Sequence, residues 1–265
     1  MRKLCLSICC LMMLWAGMAA ARPLIVSDLR AKKSQPGPLL VALHDTGSNH
    51  QAMKSQSRLD AAARQAGLVV LYPSAEQGRW QSSDVEYLAR LIKGVLADPR
   101  VENRPVIVAG HGAGGDIALR LACARPDLVA GVGVVATKLA RGFRCTRGRP
   151  KPAMFIHGTA DPVSPHDGTA QQHSASETIA LWSRINRCRD ATRVERRDTN
   201  TRDKTSVVFR SYTKCQATLT HATVLGGGHG WFTGRAGRGG KLGPMSAEIN
   251  ASDTLVQFLR PLVGR

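Results

Sequence analysis

The hydrophobic positions of this chain alternate between short, unbroken apolar runs and longer stretches with helical spacing. The apolar runs predict strands at residues 39–43, 68–72, 106–109, 131–136, 153–157, 206–212 and 220–225. The helical spacing predicts helices at residues 59–66, 85–96, 117–124, 176–186 and 251–258. Apolar strands alternating with helices indicate an α/β fold, with a mostly parallel sheet covered by helices on both faces.

The first 21 residues are patterned differently from the rest. Arg2 and Lys3 precede an apolar run over residues 4–15, and small residues end at Ala21. This is the pattern of a secretory signal peptide, and the apolar run is shorter than the ~20 residues that a membrane span needs. We therefore expect a signal peptide at 1–21, one domain at 22–265, no transmembrane segment, and an extracellular or periplasmic location.

Composition indicates a basic protein and, in a secreted chain, disulfide bonds. The formal net charge is +18, and +16 remains without residues 1–21, which carry two bases and no acids. Three of the seven cysteines also lie in that segment, which leaves Cys123, Cys145, Cys188 and Cys215. Four cysteines in a secreted chain predict two disulfides, with three connectivities open. The chain has no C-x-x-C or H-x-x-x-H spacing that would indicate a metal site, and we expect no metal and no cofactor.

The candidate chemistry lies at the turn between a strand and a helix. Residues 110–114 read Gly-His-Gly-Ala-Gly and stand where a nucleophile elbow, G-x-S-x-G, would stand. The position of the attacking serine is occupied by Gly112. Glycine has no hydroxyl, thiol or amine, so this position cannot form an acyl-enzyme. The sequence leaves two origins open for Gly112, a natural pseudoenzyme and a deliberate replacement of serine.

Together with further motifs, the elbow resembles the secreted α/β-hydrolases grouped as polyhydroxybutyrate depolymerases and feruloyl or acetylxylan esterases. The motifs are spread over residues 38–259: Leu43-His44, Asp84-Val85, Leu121-Ala122-Cys123, Arg125-Pro126-Asp127-Leu128, His157-Gly158-Thr159-Ala160-Asp161-Pro162-Val163, Asn186-Arg187-Cys188 and Gly226-Gly227-Gly228-His229-Gly230-Trp231. The resemblance implies an α/β-hydrolase fold, an ester or polyester ligand, and the disulfide pairs Cys123–Cys145 and Cys188–Cys215.

The resemblance also implies that Asp161 is the acid of a catalytic triad and His229 its base. The order of the chain agrees with this assignment, because α/β-hydrolase triads run nucleophile, acid, histidine. Position 112, Asp161 and His229 each follow a predicted strand, at the edge where open α/β sheets place their sites. We interpret His111 as the variable residue of the elbow, and His44 and His157 as hydrogen-bonded core residues.

An oxyanion hole at this site would use two backbone N–H groups, one from Ala113 and one near Thr46. The chain departs from the family in that loop, where the usual His-Gly is His44-Asp45. An inward carboxylate would oppose a developing oxyanion, whereas an outward one would be an ordinary turn aspartate. We expect the outward orientation, with room for a water molecule beside His229 where the serine is missing.

Three functions remain open. The first is a serine-esterase-type hydrolase, of the polyhydroxybutyrate depolymerase kind, whose activity Gly112 makes weak or absent. The second is a catalytically silent protein that binds an anionic or polymeric ligand on the same scaffold. The third is a basic envelope-associated protein that acts through its charge. On the first hypothesis Gly112→Ser restores activity at least in part, with Asp45→Gly needed if the carboxylate weakens the oxyanion hole.

Basic residues cluster in two predicted loops. Six fall without an acid between residues 138 and 151, and Arg235, Arg238 and Lys241 follow His229. One reading is an ordinary solvated surface, and the other is a positive collar around the pocket that attracts an anionic surface polymer. There is no motif or aromatic platform for specific nucleic-acid binding. The sequence does not indicate an oligomeric state.

Overall fold

The computed structural model describes residues 22–30, 34–189 and 192–262, and these form one domain around a nine-stranded sheet. The strand order is β1-β3-β2-β4-β5-β6-β9-β8-β7. The strands are β1 (Leu24–Asp28), β2 (Leu39–Leu43), β3 (Val69–Pro73), β4 (Val106–His111), β5 (Val129–Val135), β6 (Ala153–Gly158), β7 (Thr192–Arg197), β8 (Ser206–Tyr212) and β9 (Leu219–Leu225). The predicted signal peptide at 1–21 lies outside the described residues.

Helices cover both faces of the sheet, as the sequence predicts. They are α1 (His50–Ser57), α2 (Leu59–Gln65), α3 (Asp84–Leu96), α4 (Ala113–Ala124), α5 (Ala175–Ile185) and α6 (Ala251–Leu259). Successive residues of β2 alternate between two cores, because side chains of a strand point to opposite faces. Leu39, Val41 and Leu43 pack with α3, α4 and α5, whereas Leu40 and Ala42 pack with α1, α2 and α6.

The sheet is parallel in the middle and antiparallel at its ends. β3, β2, β4, β5, β6 and β9 run parallel to their neighbours. β1 pairs antiparallel with β3, and β8 and β7 extend the other end as antiparallel strands. This confirms the predicted fold class and adds β1, β7 and α1, which the hydrophobic pattern missed. β7 reads Thr-Arg-Val-Glu-Arg-Arg, a polar sequence suited to an exposed edge strand.

The parallel strands bring four loops to one edge of the sheet. β2 ends just before Asp45, β4 just before Gly112, β6 before Asp161 and β9 before His229. The carboxyl ends of parallel strands meet at the same edge, which is where open α/β folds hold their sites. These residues are far apart in the chain and are neighbours in the fold.

Two disulfides stabilise the part of the domain that lies away from the carboxyl edge of the sheet. They join Cys123 to Cys145 and Cys188 to Cys215, the pairs that the resemblance implied. Cys123 lies in the last turn of α4, away from the helix N-terminus at the carboxyl edge. Residues 145–151 therefore lie towards the amino ends of the strands, where the buried Lys151 donates to the carbonyl of Val129, the first residue of β5.

That placement corrects the predicted basic collar. Only the first part of the 138–151 stretch lies near the carboxyl edge, together with the loop of Arg235, Arg238 and Lys241. Lys138 is itself buried and donates to the carbonyl of Pro165, and the exposed Arg141 pairs with Glu177. No helix in the described ranges has the length and apolar character needed to cross a bilayer.

Both disulfides should form in material exported to an oxidising compartment. Each closes a loop with a sequence separation of 22 or 27 residues, and a disulfide on a loop of this size contributes about 2–4 kcal/mol to the free energy of unfolding. Peptide mass mapping checks the pairing, and denaturant melts of Cys188→Ser/Cys215→Ser against the parent check the stabilisation. A Cys123–Cys188 link, or free thiols throughout, would refute the assignment.

Candidate active site

The turn after β4 has the backbone of a nucleophile elbow. Gly112 adopts φ 49° and ψ −117°, in the positive-φ region that favours glycine. Its neighbours are packed against backbone: a Cβ on Gly110 would lie 2.3 Å from the carbonyl oxygen of Gly114, and a Cβ on Gly114 would lie 2.3 Å from that of Leu43. The chain therefore has the positive-φ turn and the close strand–helix approach that an elbow needs.

Asp161 and His229 meet as a buried pair. Nδ1 of His229 lies 2.8 Å from Oδ2 and 3.0 Å from Oδ1 of Asp161. Oδ1 of Asp161 also accepts the backbone N–H groups of Val163 and Ser164, at 2.9 and 2.6 Å. Hydrogen bonds to its charged form fix this carboxylate, which in turn fixes the imidazole with a proton on Nδ1. This is the geometry that a histidine base and its orienting acid require.

Nε2 of that histidine faces a second carboxylate, where a serine hydroxyl would be expected. Oδ2 of Asp45 lies 2.9 Å from Nε2 of His229. Oδ1 of Asp45 accepts the backbone N–H groups of Ala113 and Thr46, both at 2.8 Å. The two N–H groups predicted for the oxyanion hole thus converge on one oxygen, and that oxygen belongs to Asp45.

The expectation that Asp45 points outward is therefore wrong. The outward reading rested on the preference of aspartate for solvated turns, and the inward position is favoured by three donors. These are the two backbone N–H groups and the ring of His229. Ala113 is the first residue of α4, so the carboxylate also lies at the positive end of that helix's dipole.

The space beside Gly112 is filled by the same carboxylate. A Cβ placed on Gly112 would lie 2.0 Å from Oδ1 and 2.3 Å from Cγ of Asp45. Real Cβ atoms do not approach other atoms so closely, so a side chain at 112 and Asp45 in this position exclude each other. The expected water-sized gap beside His229 is thus occupied by Asp45, and Gly112→Ser alone would force Asp45 to move.

Ionic interactions set the charge of this cluster. Burial disfavours the charged form of Asp45, but the hydrogen bond from His229, the field of His111 and the N–H of Ala113 outweigh it and lower the pKa of Asp45 to about 2. Burial likewise opposes ionisation of His229, but hydrogen bonds and charge from Asp161 and Asp45 raise its pKa to about 9. Near neutral pH the cluster is carboxylate, imidazolium, carboxylate, so His229 is not a free base.

The three other histidines that the sequence analysis singled out are hydrogen-bonded within the fold. His44 is buried, with Nδ1 near the carbonyl oxygen of Asp45 and Nε2 accepting the N–H of Ala75. His157 bonds to the carbonyl of Ser164 through Nε2. His111 bonds through Nε2 to the carbonyl of His229 and so supports the loop that carries it.

Asp45, His111 and His229 are also the described residues whose ligand atoms could converge on a metal ion, within 4.8 Å of one another. In this structure Asp45 and His229 bond to each other, and His111 bonds to the His229 carbonyl.

A cavity of about 360 Å³ opens onto Asp45, Gly112 and His229. Two further charged residues lie in its wall: Asp116, which was not predicted, and Lys138, the first residue of the predicted basic stretch. Asp116 accepts from Arg120 through Oδ2, while its buried Oδ1 has no partner among the described residues. Lys138 lines the cavity from the loop after β5. Asp116 is the fourth residue of α4, so its place one turn beyond the elbow was a signal that sequence reasoning could have used.

Comparison with known proteins relates the chain to esterases. It is 29% identical over 253 residues to "Putative esterase NocK" of Nocardia uniformis subsp. tsuyamanensis, covering 84% of this chain and 74% of that protein. It is 24% identical over 226 residues to "Feruloyl esterase B" of Piromyces equi, covering 76% of this chain and 41% of that protein. No protein-family model matches the chain.

Solved structures share the fold at lower sequence identity. An acetyl xylan esterase from Aspergillus awamori superposes with a TM-score of 0.54 at 14% identity, over 78% of this chain and 88% of that one. Esterase PE8 superposes with a TM-score of 0.57 at 15% identity, over 92% and 99%. The chain thus has the α/β-hydrolase fold.

The charge cluster predicts how His229 titrates. Asp45→Asn removes one of the two carboxylates that stabilise the imidazolium, so the pKa of His229 should fall from its raised value. A raised pKa stabilises the fold below the ordinary value of 6.5, and this contribution is lost as pH rises through about 9. As pH rises from 6.5 to about 9, the free energy of unfolding should therefore fall less in Asp45→Asn than in the parent.

NMR titration of the His229 ring and denaturant melts across the same pH range check both expectations. Asp116→Asn is the matched control, because Asp116 lines the same cavity without contacting His229, and it should leave the His229 titration unchanged. An unshifted His229 pKa in Asp45→Asn would show that the two side chains do not interact.

Proposed function

We propose that this chain is a pseudo-esterase: a carboxylic ester hydrolase scaffold, of the polyhydroxybutyrate depolymerase type, that does not hydrolyse esters through an acyl-enzyme. The observation that carries the proposal is the position of Asp45. Its carboxylate takes both oxyanion donors and the space in front of Gly112. Serine-type acyl transfer needs a nucleophile, a free base and an empty oxyanion hole, and all three are missing here.

The electrostatics point in the same direction. An ester carbonyl that entered the cavity would develop negative charge beside a carboxylate that is already ionised. Removal of a triad nucleophile in a working serine hydrolase leaves a residual acceleration of ~10³–10⁴ over water, which comes from the oxyanion hole and from binding. With Asp45 in the oxyanion hole, even that residual acceleration should be reduced.

The cavity remains available for binding. Its opening at the carboxyl edge, Lys138 on its wall and the exposed basic residues of the loop after His229 support an ester, polyester or anionic polymer as ligand. We also propose that the protein works outside the cytoplasm. The two disulfides and the signal-like residues 1–21 support an extracellular or periplasmic location.

A set of four proteins tests the proposal: the parent, Gly112→Ser, Asp45→Gly and the double variant. Each is assayed on short p-nitrophenyl esters and with a fluorophosphonate probe for an activated serine. We expect no labelling of the parent or of Asp45→Gly, and little of Gly112→Ser because its Cβ collides with Asp45. The double variant has a serine, a free base and an open hole, so it should label and regain ester hydrolysis.

Gly112→Ser/Asp45→Gly/His229→Ala is the control, and its failure to label would tie recovered activity to His229. Circular dichroism and melting establish that each variant folds. Ordinary esterase turnover by the parent that survives His229→Ala would contradict the site assignment. A folded double variant that neither labels nor turns over would show that the site differs from a serine hydrolase by more than these two residues.

A further inference from the structure

The two oxygens of Asp45 are held differently, and the difference has a chemical meaning. Oδ1 is fixed by the backbone N–H groups of Ala113 and Thr46. Oδ2 contacts Nε2 of His229 at 2.9 Å. The carboxylate lies on the wall of the cavity, with about a fifth of the side chain exposed. Oδ1 is thus anchored to the backbone, and Oδ2 faces the Nε2 proton of His229, which can be transferred.

An ionised, oriented carboxylate is a nucleophile, and the geometry decides which carbon it can attack. Attack on an ester carbonyl would give an anhydride, and its oxyanion would find both N–H groups engaged by Oδ1. Attack on a saturated carbon develops no oxyanion at the substrate and needs no hole. The resulting alkyl ester, in contrast, would have its own carbonyl oxygen, Oδ1, already between the two N–H groups.

We propose that Asp45 is a nucleophile for saturated carbon and that the substrate class is an epoxide, opened through a covalent ester and released as a diol. This goes beyond the proposed loss of ester hydrolysis, since it assigns the altered site an activity of a different class. In the first step Oδ2 of Asp45 forms a bond to one epoxide carbon. The carbon–oxygen bond of the ring breaks, and its electron pair leaves with the ring oxygen as an alkoxide.

The proton for that alkoxide comes from His229. Once Oδ2 is esterified, Nε2–H of the imidazolium loses both its acceptor and the negative charge that stabilised it. The imidazolium becomes a stronger acid and gives its proton to the alkoxide. The products of this half of the reaction are a neutral hydroxyalkyl ester on Asp45 and a neutral imidazole, which is still oriented by Asp161 through Nδ1.

The second half uses the remaining groups. His229 takes a proton from water, and the hydroxide attacks Cγ of Asp45. The negative charge of the tetrahedral intermediate develops on Oδ1, where the N–H groups of Ala113 and Thr46 stabilise it. Collapse breaks the bond from Cγ to the former Oδ2, and the proton of the new carboxyl passes to the departing alkoxide. Epoxide and water give diol, and Asp45 and His229 return to their starting charges.

This reaction would use groups for which a silent binding site has no need. Such a site does not require an acid that orients His229, or two N–H groups aimed at one oxygen. Both features are present here: the N–H of Ala113 lies within hydrogen-bonding distance of Oδ1 of Asp45, and Nδ1 of His229 lies within that distance of Asp161. Gly112 contributes by leaving the space into which the Asp45 carboxylate projects.

Isotope transfer tests the proposal directly, with styrene oxide as the probe. The parent is incubated with styrene oxide in water labelled with heavy oxygen, and the peptide containing Asp45 is analysed by mass spectrometry. We expect heavy oxygen in the Asp45 carboxylate and unlabelled diol from the first turnover, because water attacks Cγ and not the substrate. Direct attack of water on the epoxide would put the label in the diol and none in the protein.

Three variants sharpen the result. Asp45→Asn should lose the label and reduce diol formation to the uncatalysed rate. His229→Gln lacks both the proton donor of the first half and the base of the second, so diol formation should fall towards the uncatalysed rate. Ester that forms slowly with a proton from water should persist, seen as one added styrene oxide on the Asp45 peptide. Asp167→Asn, a fully exposed carboxylate outside the cavity, should label Asp45 as the parent does.

Absence of diol above the buffer rate in the folded parent would overturn the proposal, as would label in the diol alone or adducts on other residues. The fluorophosphonate assay does not depend on this result, so the pseudo-esterase assignment can stand if the epoxide activity fails.

Discussion

One ionised carboxylate, Asp45, determines what the carboxyl edge of this sheet can do. It carries a charge in a partly buried position, and that charge is balanced by the imidazolium of His229 and by two N–H groups, one of them at the start of α4. His229 in turn lies between two carboxylates, with Asp161 anchored by Val163 and Ser164. Charge pairing thus connects the loops that the strand topology brings to one edge of the sheet.

The residues at 45 and 112 form a coherent pair. The Asp45 carboxylate occupies space that a Cβ at position 112 would need, so its inward position requires glycine there. A serine at 112 would conversely require the Asp45 carboxylate to move or a smaller residue to stand at 45. Gly112 and the inward carboxylate of Asp45 are therefore structurally coupled, because the carboxylate uses the space that a side chain at position 112 would need. The backbone of the elbow, with its positive φ at Gly112, is unaffected.

Much of the fold and the position of the candidate site could be predicted from the sequence, because apolar runs and short motifs are local signals. Apolar runs located the parallel strands, and the order of position 112, Asp161 and His229 located the edge where they meet. The edge strands β1 and β7 and the polar helix α1 were missed, since their sequences are half-exposed and carry no strong periodicity. The orientation of Asp45 could not be read locally either. Turn propensity favours solvent, whereas donors from Ala113, 68 residues away, and His229, 184 residues away, favour the interior.

The most direct test of this account is the titration of the Asp45 carboxyl group, followed by NMR at its side-chain carbon. A carboxylate held by His229 and two backbone N–H groups should protonate with a pKa of about 2. Its titration should move towards the ordinary range when His229 is replaced by glutamine, because the imidazolium is then absent. A pKa near the ordinary aspartate value of 3.8 in the parent would show that Asp45 is solvated, and would contradict the assignment of the oxyanion hole to this residue.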